Sequence, residues 1–397
     1  MKIKLAVMFG GKSTEHEISI ISAIQAIGSI NKEKYEVIPI YITKENEFYV
    51  GENVGKISSY TNIPKLIKES QRVILVSNGH GADIVKYPFK AFRNGLYNTI
   101  DIAFPIVHGT NVEDGNLQGY LHTLGITYVG CDVISSAVGM DKYVMKTVLK
   151  DNDIPVLDCV VATSMEYDTD QLALAGKLEE KIGYPLIVKP INLGSSVGIS
   201  KASDRDELLE ALETAFNFSQ KVLVEEAVQN LKEINCSVLG DFEYAESSEC
   251  EEPVNSDDIL SFEDKYIGGG KDGGSKGMAT LKRKIPADIT DEQRAYIKEL
   301  AEKAFKCLGC SGVSRIDFMM NTETGKIWLN EINTIPGSLS FYLWEPVGVK
   351  YTALLDRMIE LALKREREQT NLTYSFESNV LAGVNLGGSK GSKGSKL

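Results

Sequence analysis

The sequence predicts a mixed α/β protein, with a parallel α/β domain at its start and an α+β region after it. Strands and helices alternate over residues 1–130, a pattern typical of a parallel sheet flanked by helices. Residues 313–333 instead contain two apolar strands joined by a tight polar turn. The chain of 397 residues is too long for one ordinary hydrophobic core, so we expect two or three domains.

The composition is that of a soluble globular protein, with 43% hydrophobic and 25% charged residues. A net charge of -12 argues against a nucleic-acid-binding surface. The sequence has no run of 18 apolar residues and no signal-peptide pattern, so we expect no membrane partner and a cytoplasmic location. Only Cys307 and Cys310 of the six cysteines form a C-x-x-C pair, which indicates free thiols rather than a zinc site.

The first domain begins with the strand KIKLAVMFGG, and the next segment, STEHEISIISAIQAI, predicts a helix with Thr14 and Glu17 as a capping box. Further strands are predicted in YEVIPIYI and in IDIAFPIVHG, which ends at His108, and NLQGYLHTLGI predicts a short helix. Ligands of parallel sheets gather beyond the carboxyl ends of the strands. Glu15 and His108 both lie there, so they are candidate site residues.

The segment GGKS at residues 10–13 matches the end of a phosphate-binding P-loop. That motif also needs a glycine five residues before Gly11, and the sequence has Ala6 at that position. A P-loop is therefore excluded, although the first strand does end in glycines.

A different pattern extends over residues 131–222. The segment SAVGMDKYVMKTVLKDN predicts a helix, and the strands YPLIVKP and GISKAS follow it. Between these strands, residues 194–198 form a turn rich in backbone amides that can close over phosphates. Serine and glycine are also ordinary turn residues, so a plain turn remains an alternative. Lys189, near the end of the first strand, favours the phosphate interpretation.

The region 223–370 is predicted to continue with strands, a lid and a metal-binding hairpin. The segment KVLVEEAV reads as a strand that leads into KEINCSVLGD. Residues 261–282 are rich in glycine and lysine and predict a lid, with a disordered linker as the alternative. Residues 371–397 end in a Gly/Ser/Lys repeat that cannot bury a core, so we expect them to be disordered.

The segments VSRIDFMM and KIWLNEIN predict an antiparallel hairpin. A turn centred near residue 324 places Asp317 opposite Glu331 and Arg315 opposite Asn333. Alternation along the second strand places Glu331 and Asn333 on the same face as the apolar Leu329. The polar residues would then continue an apolar row.

Two carboxylates that face each other across a pair of strands repel one another. Asp317 and Glu331 would be accommodated if a hard cation lay between them, because Mg²⁺ binds one or two protein carboxylates together with water and substrate phosphates. Two alternatives remain, namely a solvated hairpin end and an Asp317 that pairs only with Arg315.

Taken together, these segments resemble the ATP-grasp superfamily, and their order and spacing resemble the D-alanine–D-alanine ligase family. The motifs that carry the resemblance are GGKSTEHEIS, HGTNVEDGNLQG, SAVGMDK, VKPINLGSSVG and RIDF followed by EINTIPG. They extend over residues 3–346. The resemblance implies a Rossmann-like N-terminal domain followed by a two-subdomain ATP-grasp fold.

The resemblance also implies a reaction. ATP would phosphorylate the carboxylate of one D-alanine, and the amino group of a second D-alanine would attack the acylphosphate to give a dipeptide for peptidoglycan synthesis. The implied cofactors are ATP and two Mg²⁺ ions, with Mn²⁺ as an alternative. The implied partners are amino-acid substrates and a second copy of the chain in a homodimer.

The resemblance implies roles for individual residues toward ATP and metal. The phosphate contacts would be Lys142, Lys189 and Ser196. The adenine hinge would include Glu225, Glu226 and Val228, and Glu233 would bind the ribose. The metal ligands would be Asp317, Glu331 and Asn333.

The resemblance implies further roles toward the amino acids. Glu15 would bind the ammonium group of the first amino acid, with Ser195 and His108 nearby. Arg315 and the Gly337 amide would stabilise the oxyanion. Lys265 would meet the carboxylate of the second amino acid, with Tyr266 closing the lid.

One segment departs from the family pattern. Family members usually continue PGMT-x-x-S-x-x-P, and the serine of that pattern binds the carboxylate of the second amino acid. Here the sequence is PGSLSFYLWEP, which places Tyr342 nine residues after Asn333. Tyr342 can donate a hydrogen bond, as can Ser340 if the register shifts. The second substrate therefore remains open between D-alanine, D-serine and another amino acid, and a non-catalytic nucleotide-binding regulator is a further alternative.

Overall fold

Three β-sheets carry the fold in the computed structural model, which describes residues 2–89, 95–194, 196–253 and 283–374. Ser195, Lys265 and Tyr266 lie outside these residues. So do the whole predicted lid 261–282 and, after residue 374, the predicted tail.

The first sheet contains eight strands. They are β1 (Ile3–Gly10), β2 (Tyr35–Ile42), β3 (Phe48–Val50), β4 (Gln71–Ser77), β5 (Ala82–Lys86), β6 (Leu96–Ile100), β7 (Ile102–Pro105) and β8 (Thr127–Tyr128). Their order is β6-β5-β4-β3-β2-β1-β7-β8. The neighbours β2, β1, β7 and β8 are parallel, as the alternation predicts, whereas the pairs from β2 to β6 are antiparallel. The sheet is mixed because short connections join β2 to β3, β4 to β5 and β5 to β6, and such connections reverse the chain.

Three helices accompany this sheet: α1 (His16–Ser29), α2 (Ile63–Glu69) and α3 (Asn116–Thr123). The predicted capping box of Thr14 and Glu17 is wrong. Helix α1 begins at His16, with Glu15 as its N-cap residue and no side-chain capping bond. The buried His16 ring donates to the Gly11 carbonyl oxygen (2.6 Å) and accepts from the Tyr41 hydroxyl (3.0 Å). These bonds fix the helix start at residue 16 and leave Thr14 outside.

The second sheet is antiparallel and contains four strands in the order β11-β10-β12-β9, with the bounds β9 (Cys159–Thr163), β10 (Leu186–Pro190), β11 (Ser200–Ala202) and β12 (Lys221–Glu226). The helices of this region are α4 (Val133–Met140), α5 (Lys142–Asp151), α6 (Ser164–Thr169), α7 (Gln171–Lys181) and α8 (Arg205–Phe216). One face of the sheet packs its valines and leucines on α7 and α8. The register places Lys189 and Glu225 on the opposite face.

The single helix predicted from residue 136 to 152 is in fact two helices, α4 and α5. The break lies at Asp141, whose backbone is extended and whose carboxylate accepts from the amides of Tyr143 (3.0 Å) and Val144 (2.9 Å). An aspartate that caps a helix satisfies amides that have no partner inside the helix. This cap starts α5 at Lys142, so a candidate phosphate-binding lysine lies on the first residue of a helix.

The third sheet is antiparallel, with the order β15-β14-β13-β16-β17 and the bounds β13 (Leu231–Gly240), β14 (Ala245–Pro253), β15 (Arg283–Lys284), β16 (Gly312–Asn321) and β17 (Ile327–Asn333). The remaining helices are α9 (Asp291–Cys307), α10 (Phe341–Trp344) and α11 (Tyr351–Thr370), and 3₁₀ turns cover Ile57–Asn62, Gly337–Ser340 and Glu345–Val347. The predicted hairpin register is confirmed, since Asp317 pairs with Glu331 and Arg315 with Asn333.

The prediction that Glu331 and Asn333 continue the apolar row is wrong. Asp317 pairs with Glu331 but Phe318 already pairs with Leu329, so Asn330 is an extra residue in a β-bulge. A bulge shifts the alternation by one residue. The buried row therefore continues from Leu329 to Ile332, and Glu331 lies on the opposite face of the sheet.

The hydrophobic core of the first sheet reaches far into the C-terminal part of the chain. Leu354, Leu355 and Met358 of α11 are buried in the same cluster as Leu5 and Val7 of β1. The predicted boundaries at residues 130 and 222 stay predictions, but the last helix packs with the first sheet.

All six cysteines are free, as expected. Within the described ranges, no helix is long and apolar enough to cross a membrane.

Candidate functional site

The candidate site lies where the carboxyl ends of β1 and β7 meet the loop after β10 and the hairpin of β16 and β17. Contacts between residues distant in sequence join these parts. Lys142 Nζ donates to the Leu193 carbonyl oxygen (2.6 Å), and Lys189 Nζ donates to Asn330 Oδ1 (3.0 Å). The Thr110 hydroxyl donates to the Asn192 carbonyl oxygen (2.7 Å). Chain segments next to all three sheets therefore meet at one place.

Glu15 lies in a narrow space between two glycines. A Cβ atom on Gly109 would lie 2.6 Å from Glu15 Oε2, and one on Gly194 would lie 3.0 Å from the same oxygen. Gly109 also has a φ of +81°, which L side chains rarely adopt. The HG and GSS motifs thus supply glycines that let the backbone approach a buried carboxylate. Glu15 could hold an ammonium group here.

His108 is buried and both of its ring nitrogens bind protein groups. Nδ1 donates to the Ile335 carbonyl oxygen (2.8 Å), and Nε2 accepts from the Ser22 hydroxyl (2.9 Å). Ser22 Oγ in turn accepts from the Ser338 amide (2.9 Å). Burial lowers the pKa of His108 to about 4, which fits a neutral ring with one donor and one acceptor. His108 thus orients the turn that contains Gly337, and a direct substrate contact stays a prediction.

Glu113 holds the same turn and was missed as a site residue, although it stands in the quoted segment HGTNVEDGNLQG. Its Oε1 accepts from the Ile335 amide (2.8 Å) and the Thr334 hydroxyl (3.2 Å), and its Oε2 accepts from the Gly109 amide (2.9 Å). Burial, followed by the nearby Glu15 carboxylate, raises the pKa of Glu113 to about 7. The acid in this motif joins the first sheet to the end of β17.

The two candidate phosphate lysines both contact the end of β17. Lys142 Nζ is 3.6 Å from Glu331 Oε2, and Lys189 binds Asn330, the bulged residue just before Glu331. Both side chains are buried. Sequence reasoning missed Asn330, because its contact with Lys189 joins residues 141 positions apart in the chain. Two clustered ammonium groups at the mouth of an amide-rich turn can neutralise phosphate charge.

Glu225 lies between two lysines. Its carboxylate forms ion pairs with Lys146 and Lys189, and all three side chains are buried. Burial alone would raise the pKa of Glu225, but the two lysines lower it to about 2. The side chain of this predicted hinge residue is thus fully engaged, which leaves its backbone as the part that can face adenine. Sequence reasoning missed Lys146, which lies one helical turn after Lys142.

The other predicted nucleotide residues flank this cluster. Glu226 is exposed at the end of β12, Val228 is partly buried just beyond it, and Glu233 lies on β13. Ser196 follows Gly194 in the loop and has a φ of +59°. Their contacts with a nucleotide stay predictions.

A row of polar residues crosses four strands of the third sheet on one face. Glu331 pairs with Asp317, Asp317 with Asn235, and Asn235 with Glu251. Arg315 lies two residues before Asp317 on the same face, and its guanidinium donates to both Asp317 oxygens at 2.7 Å. The sequence predicted the first pair of this row, but not its continuation to Glu251.

The metal prediction can be compared with these contacts. Asp317 binds Arg315 and also accepts from Asn333 Nδ2 (3.1 Å), so it does not pair only with Arg315, and the metal assignment stays a prediction. No group of three or more His, Cys, Asp and Glu side chains surrounds a common point in the described part of the chain. The carboxylate and amide oxygens of Asp317, Glu331 and Asn333 are nevertheless the donor types that Mg²⁺ binds.

Gly337 begins a turn with unusual backbone conformation. The three residues after it, Ser338, Leu339 and Ser340, have φ values of +51°, +52° and +49°. Non-glycine residues rarely adopt this left-handed region, and such strain concentrates at functional sites. The Ser340 hydroxyl is buried and has no hydrogen-bond partner within the described ranges. Ser340 therefore remains a candidate donor, although its hydroxyl is closed off from solvent.

Tyr342 follows this turn on α10 and is partly buried. Its hydroxyl donates to Glu251 Oε1 (3.1 Å), so the donor that the sequence assigned to a substrate carboxylate is already used within the protein. Burial, followed by the Glu251 charge, raises the pKa of Tyr342, which therefore stays a neutral donor. A contact between Tyr342 and a substrate stays a prediction, and Glu251 is a further residue that sequence reasoning missed.

Comparisons with known proteins show the family. The N-terminal profile of the D-ala D-ala ligase family matches residues 4–131, and the C-terminal profile matches residues 148–360. A D-alanine–D-alanine ligase from Thermosipho melanesiensis is 40% identical over 379 residues, which cover 96% of this chain and 98% of the relative.

Two solved structures are similar in fold and in sequence. The VanG D-Ala:D-Ser ligase from Enterococcus faecalis has a TM-score of 0.76 and 32% identity, with 91% of this chain and 100% of that chain covered. The D-alanine–D-alanine ligase from Bacillus anthracis in complex with ATP has a TM-score of 0.63 and 26% identity, with 92% and 99% covered. The family of ATP-dependent ligases to which this chain belongs is therefore the D-alanine–D-alanine ligase family.

Proposed function

We propose that the protein joins two D-alanine molecules at the expense of ATP, through an acylphosphate of the first. The observation that carries this proposal is the position of the buried Glu15 carboxylate against Gly194. Lys142 binds the carbonyl oxygen of Leu193, the residue before Gly194, and Lys189 lies on the strand that precedes this turn and binds Asn330. A carboxylate suits the ammonium group of an amino acid, and two lysines suit a triphosphate. The relative from T. melanesiensis, 98% of which is covered by the match, carries this activity in its name.

Chemistry at the site would begin with phosphoryl transfer. Lys142 and Lys189 would bind the phosphates, with Ser195 and Ser196 in the covering turn. The backbone from Glu225 to Val228 would lie beside adenine, and Glu233 would bind the ribose. Phosphoryl transfer depends on positioning and charge neutralisation more than on covalent help from the protein. The Lys146–Glu225–Lys189 cluster supports this role because it fixes one ammonium group in place.

Magnesium is proposed at the end of the polar row, held by Glu331, Asn333 and Asp317. Two ions are expected, and Mn²⁺ is an acceptable substitute. The ions would supply charge neutralisation on the transferred phosphate oxygens. Support comes from the strand register, which brings the three side chains to one face of the sheet. It also comes from Lys142, whose Nζ lies 3.6 Å from Glu331 Oε2.

Peptide-bond formation would follow on the same face of the sheet. The amino group of the second amino acid attacks the acylphosphate carbonyl, and phosphate leaves. Arg315 and the Gly337 amide would stabilise the developing oxyanion, a role in which each preorganised donor contributes ~3 kcal/mol. His108 and Glu113 support this step because their hydrogen bonds hold the turn that contains Gly337.

The second amino acid separates the main proposal from its alternative. A D-Ala–D-Ser ligase is favoured by one specific observation, the likeness to the VanG enzyme. D-Alanine is favoured by the 40% identity to the relative from T. melanesiensis. Lys265 and Tyr266 would contact this amino acid from the lid, which favours an amine over a hydroxy acid as nucleophile.

A panel of amino acids tests the function directly. Purified protein is incubated with ATP, Mg²⁺ and pairs of amino acids, and phosphate release and dipeptide mass are measured. The proposal expects D-alanyl-D-alanine as the main product. Turnover with D-alanine and D-serine only would establish the alternative, and the absence of any dipeptide would refute both.

The cellular role follows from the product. D-Alanyl-D-alanine would enter peptidoglycan precursors. Because the proposed reaction consumes ATP, we propose that it takes place in the cytoplasm. A homodimer is also proposed on the basis of the family. Light scattering at several protein concentrations would reveal the mass, and a monomer throughout would contradict the dimer.

A further inference from the structure

A cluster of three residues lies at the far end of the polar row, which we term the Arg283 cluster: Arg283, Tyr342 and Glu251. The Arg283 guanidinium stacks over the Tyr342 ring, with 3.9 Å from Cζ to the ring centre. Arg283 Nη1 donates to Glu251 Oε2 (3.2 Å), and the Tyr342 hydroxyl donates to Glu251 Oε1. Asn235 Nδ2 also donates to Glu251 Oε1 (3.0 Å). The Glu251 carboxylate is thus satisfied on both oxygens.

Arg283 is not satisfied in the same way. Its Nη2 atom is buried and has no hydrogen-bond partner among the residues that the structure describes. A buried guanidinium nitrogen without a partner is costly, and such groups in a well-packed protein call for a ligand or another explanation. Its side chain is 12% exposed, so the guanidinium is largely withdrawn from water. A guanidinium N–H pair suits a carboxylate or a phosphate.

The position of the cluster distinguishes between these two ligands. Lys142 and Lys189, the candidate phosphate groups, lie at the Glu331 end of the polar row. Glu251 is three strands away from Glu331, which corresponds to about 14 Å across the sheet. Arg315 lies between the two ends. A group that approaches Arg315 from the Arg283 side is therefore on the side away from the phosphates.

We propose that Arg283 binds the α-carboxylate of the second amino acid, and that Tyr342 and Glu251 are positioning residues that hold the guanidinium for it. The inference rests on the proposed function and deepens it. In this chain, Tyr342 does not itself present its hydroxyl to the carboxylate, because that hydroxyl donates to Glu251. The pair Tyr342 and Glu251 instead fixes the plane and the position of Arg283.

The arrangement has a physical advantage for recognition. Stacking and the Glu251 bond leave the guanidinium few orientations, so little entropy is lost when a carboxylate binds. An acceptor without the carboxylate would leave the guanidinium nitrogen buried and unpaired. Sites built to pair a polar group discriminate strongly against analogues that lack it.

The test compares an acceptor with its amide. D-Alanine and D-alaninamide differ in whether the α-carboxylate carries a charge, and both have the attacking amine. The ratio of their acceptor kcat/KM values is measured for wild type, for Arg283→Met and for Lys284→Met. Lys284 is the adjacent residue on β15, and its ammonium pairs with Glu252 at the surface. It therefore controls for the loss of one positive charge on the same strand.

We expect wild type and Lys284→Met to prefer D-alanine by a large and equal factor. In Arg283→Met the preference should fall by about 100-fold, because truncating one partner of a buried charged pair weakens binding by that order. The KM for ATP should stay within about twofold, since the phosphate lysines lie at the other end of the row. Loss of activity with both acceptors in equal proportion would instead indicate a structural role and overturn the inference.

Arg283→Lys covers the case in which the methionine variant does not fold. Its ammonium can pair with Glu251 but cannot present a second N–H group in the guanidinium plane. The preference for D-alanine should fall by about tenfold, and a ratio equal to that of wild type would overturn the inference by itself.

The same measurement distinguishes this inference from the proposed function. If wild type forms a dipeptide with D-serine or another acceptor, that acceptor and its amide replace the alanine pair. If wild type forms no dipeptide with any pair, the proposed function fails. Dipeptide formation with an unchanged ratio in the Arg283 variants contradicts the inference alone.

Discussion

At the scale of single residues, the bulge at Asn330 decides which side chains of β17 face the core and which face Asp317. One extra residue shifts the alternation of β17, so that Ile332 joins the core and Glu331 faces Asp317. The same residue turns its own amide toward Lys189. The bulge thus places Glu331, a candidate metal ligand, on the face of Asp317. The bulged residue Asn330 itself binds Lys189, a candidate phosphate-binding lysine.

The bulge leads to a first prediction, for Asn330→Ala. The variant removes the acceptor at 3.0 Å from Lys189 Nζ, and a hydrogen bond to a charged group contributes roughly 1.5–3 kcal/mol. We expect the KM for ATP to rise by about tenfold, with a smaller change in kcat and an unchanged KM for D-alanine. Asn217→Ala, the same change at an exposed helix end, should leave all three constants at wild-type values. Equal KM values for ATP in the two variants would show that Asn330 does not position Lys189.

A second prediction concerns Glu331→Gln. The change removes the charge but keeps the size, so folding should be preserved while turnover with Mg²⁺ falls by more than about 100-fold. Titration calorimetry of ATP with and without Mg²⁺ provides a reading independent of turnover, and the Mg²⁺ enhancement should be lost. Glu323→Gln, in the turn of the same hairpin, is the matched control. An unchanged rate in Glu331→Gln would refute the metal assignment.

At the scale of elements, α4 and β17 pack closely because one residue of the helix has no side chain. A Cβ atom on Gly139 would lie 2.8 Å from Thr334 Cγ2 and 3.3 Å from Ile332 Cγ2. This contact sets the distance between the helix that leads into Lys142 and the strand that ends near Glu331. Helix position and site geometry are therefore coupled through one glycine.

Gly139→Ala and Gly176→Ala form a third, paired prediction. Gly139→Ala should lower the free energy of unfolding by about 1–3 kcal/mol, because an added methyl overpacks the contact with Thr334 and Ile332. Gly176 on α7 has no atom within 4 Å of an added Cβ, so alanine there should stabilise by about 0.5–1 kcal/mol through helix propensity. Denaturant unfolding of both variants tests the pair. Similar shifts for both would show that the packing at Gly139 is loose.

At the scale of the whole molecule, buried hydrogen bonds join the first sheet to the end of the third. His108 follows β7 and binds Ile335 and Ser22, while Glu113 binds Thr334 and Ile335. Both are titratable groups in an interior position. The cohesion of the two parts should therefore depend on pH.

The fourth prediction is the pH dependence of stability with and without His108. Its pKa falls from 6.5 to about 4 on folding because the ring is buried. The unfolded chain then binds more protons between pH 4 and 6.5, so this residue makes stability rise with pH across that window. A shift of this size corresponds to about 3 kcal/mol. Glu113 acts in the opposite direction between about pH 4.5 and 7, since its pKa is raised.

Unfolding curves of wild type and His108→Gln between pH 4 and 7.5 isolate the histidine, because Glu113 contributes to both. The difference between the two proteins should grow as the pH rises to 6.5 and then level off. His122→Gln, at an exposed position on α3, should follow wild type. A difference that does not change with pH would exclude His108 as the cause.

Residue spacing in the sequence determined the chemistry of the site. Asp317 and Glu331 pair as the turn length predicts, and Lys142, Lys189 and Glu15 lie where the motifs place them, since hairpin register and strand-end position are local properties. The family follows from the same motifs, whose glycines leave space for Glu15.

Only the tertiary structure decided the rest, because the remaining features depend on contacts between distant segments. Alternation along β17 could not reveal the bulge at Asn330, and the length of the predicted helix at 136–152 could not reveal the cap at Asp141. Glu251 joins the site only because four strands align in register. The sequence suggested that the Tyr342 hydroxyl would bind a substrate, but in the fold this hydroxyl donates to Glu251. A guanidinium nitrogen of Arg283 beside it has no partner among the described residues.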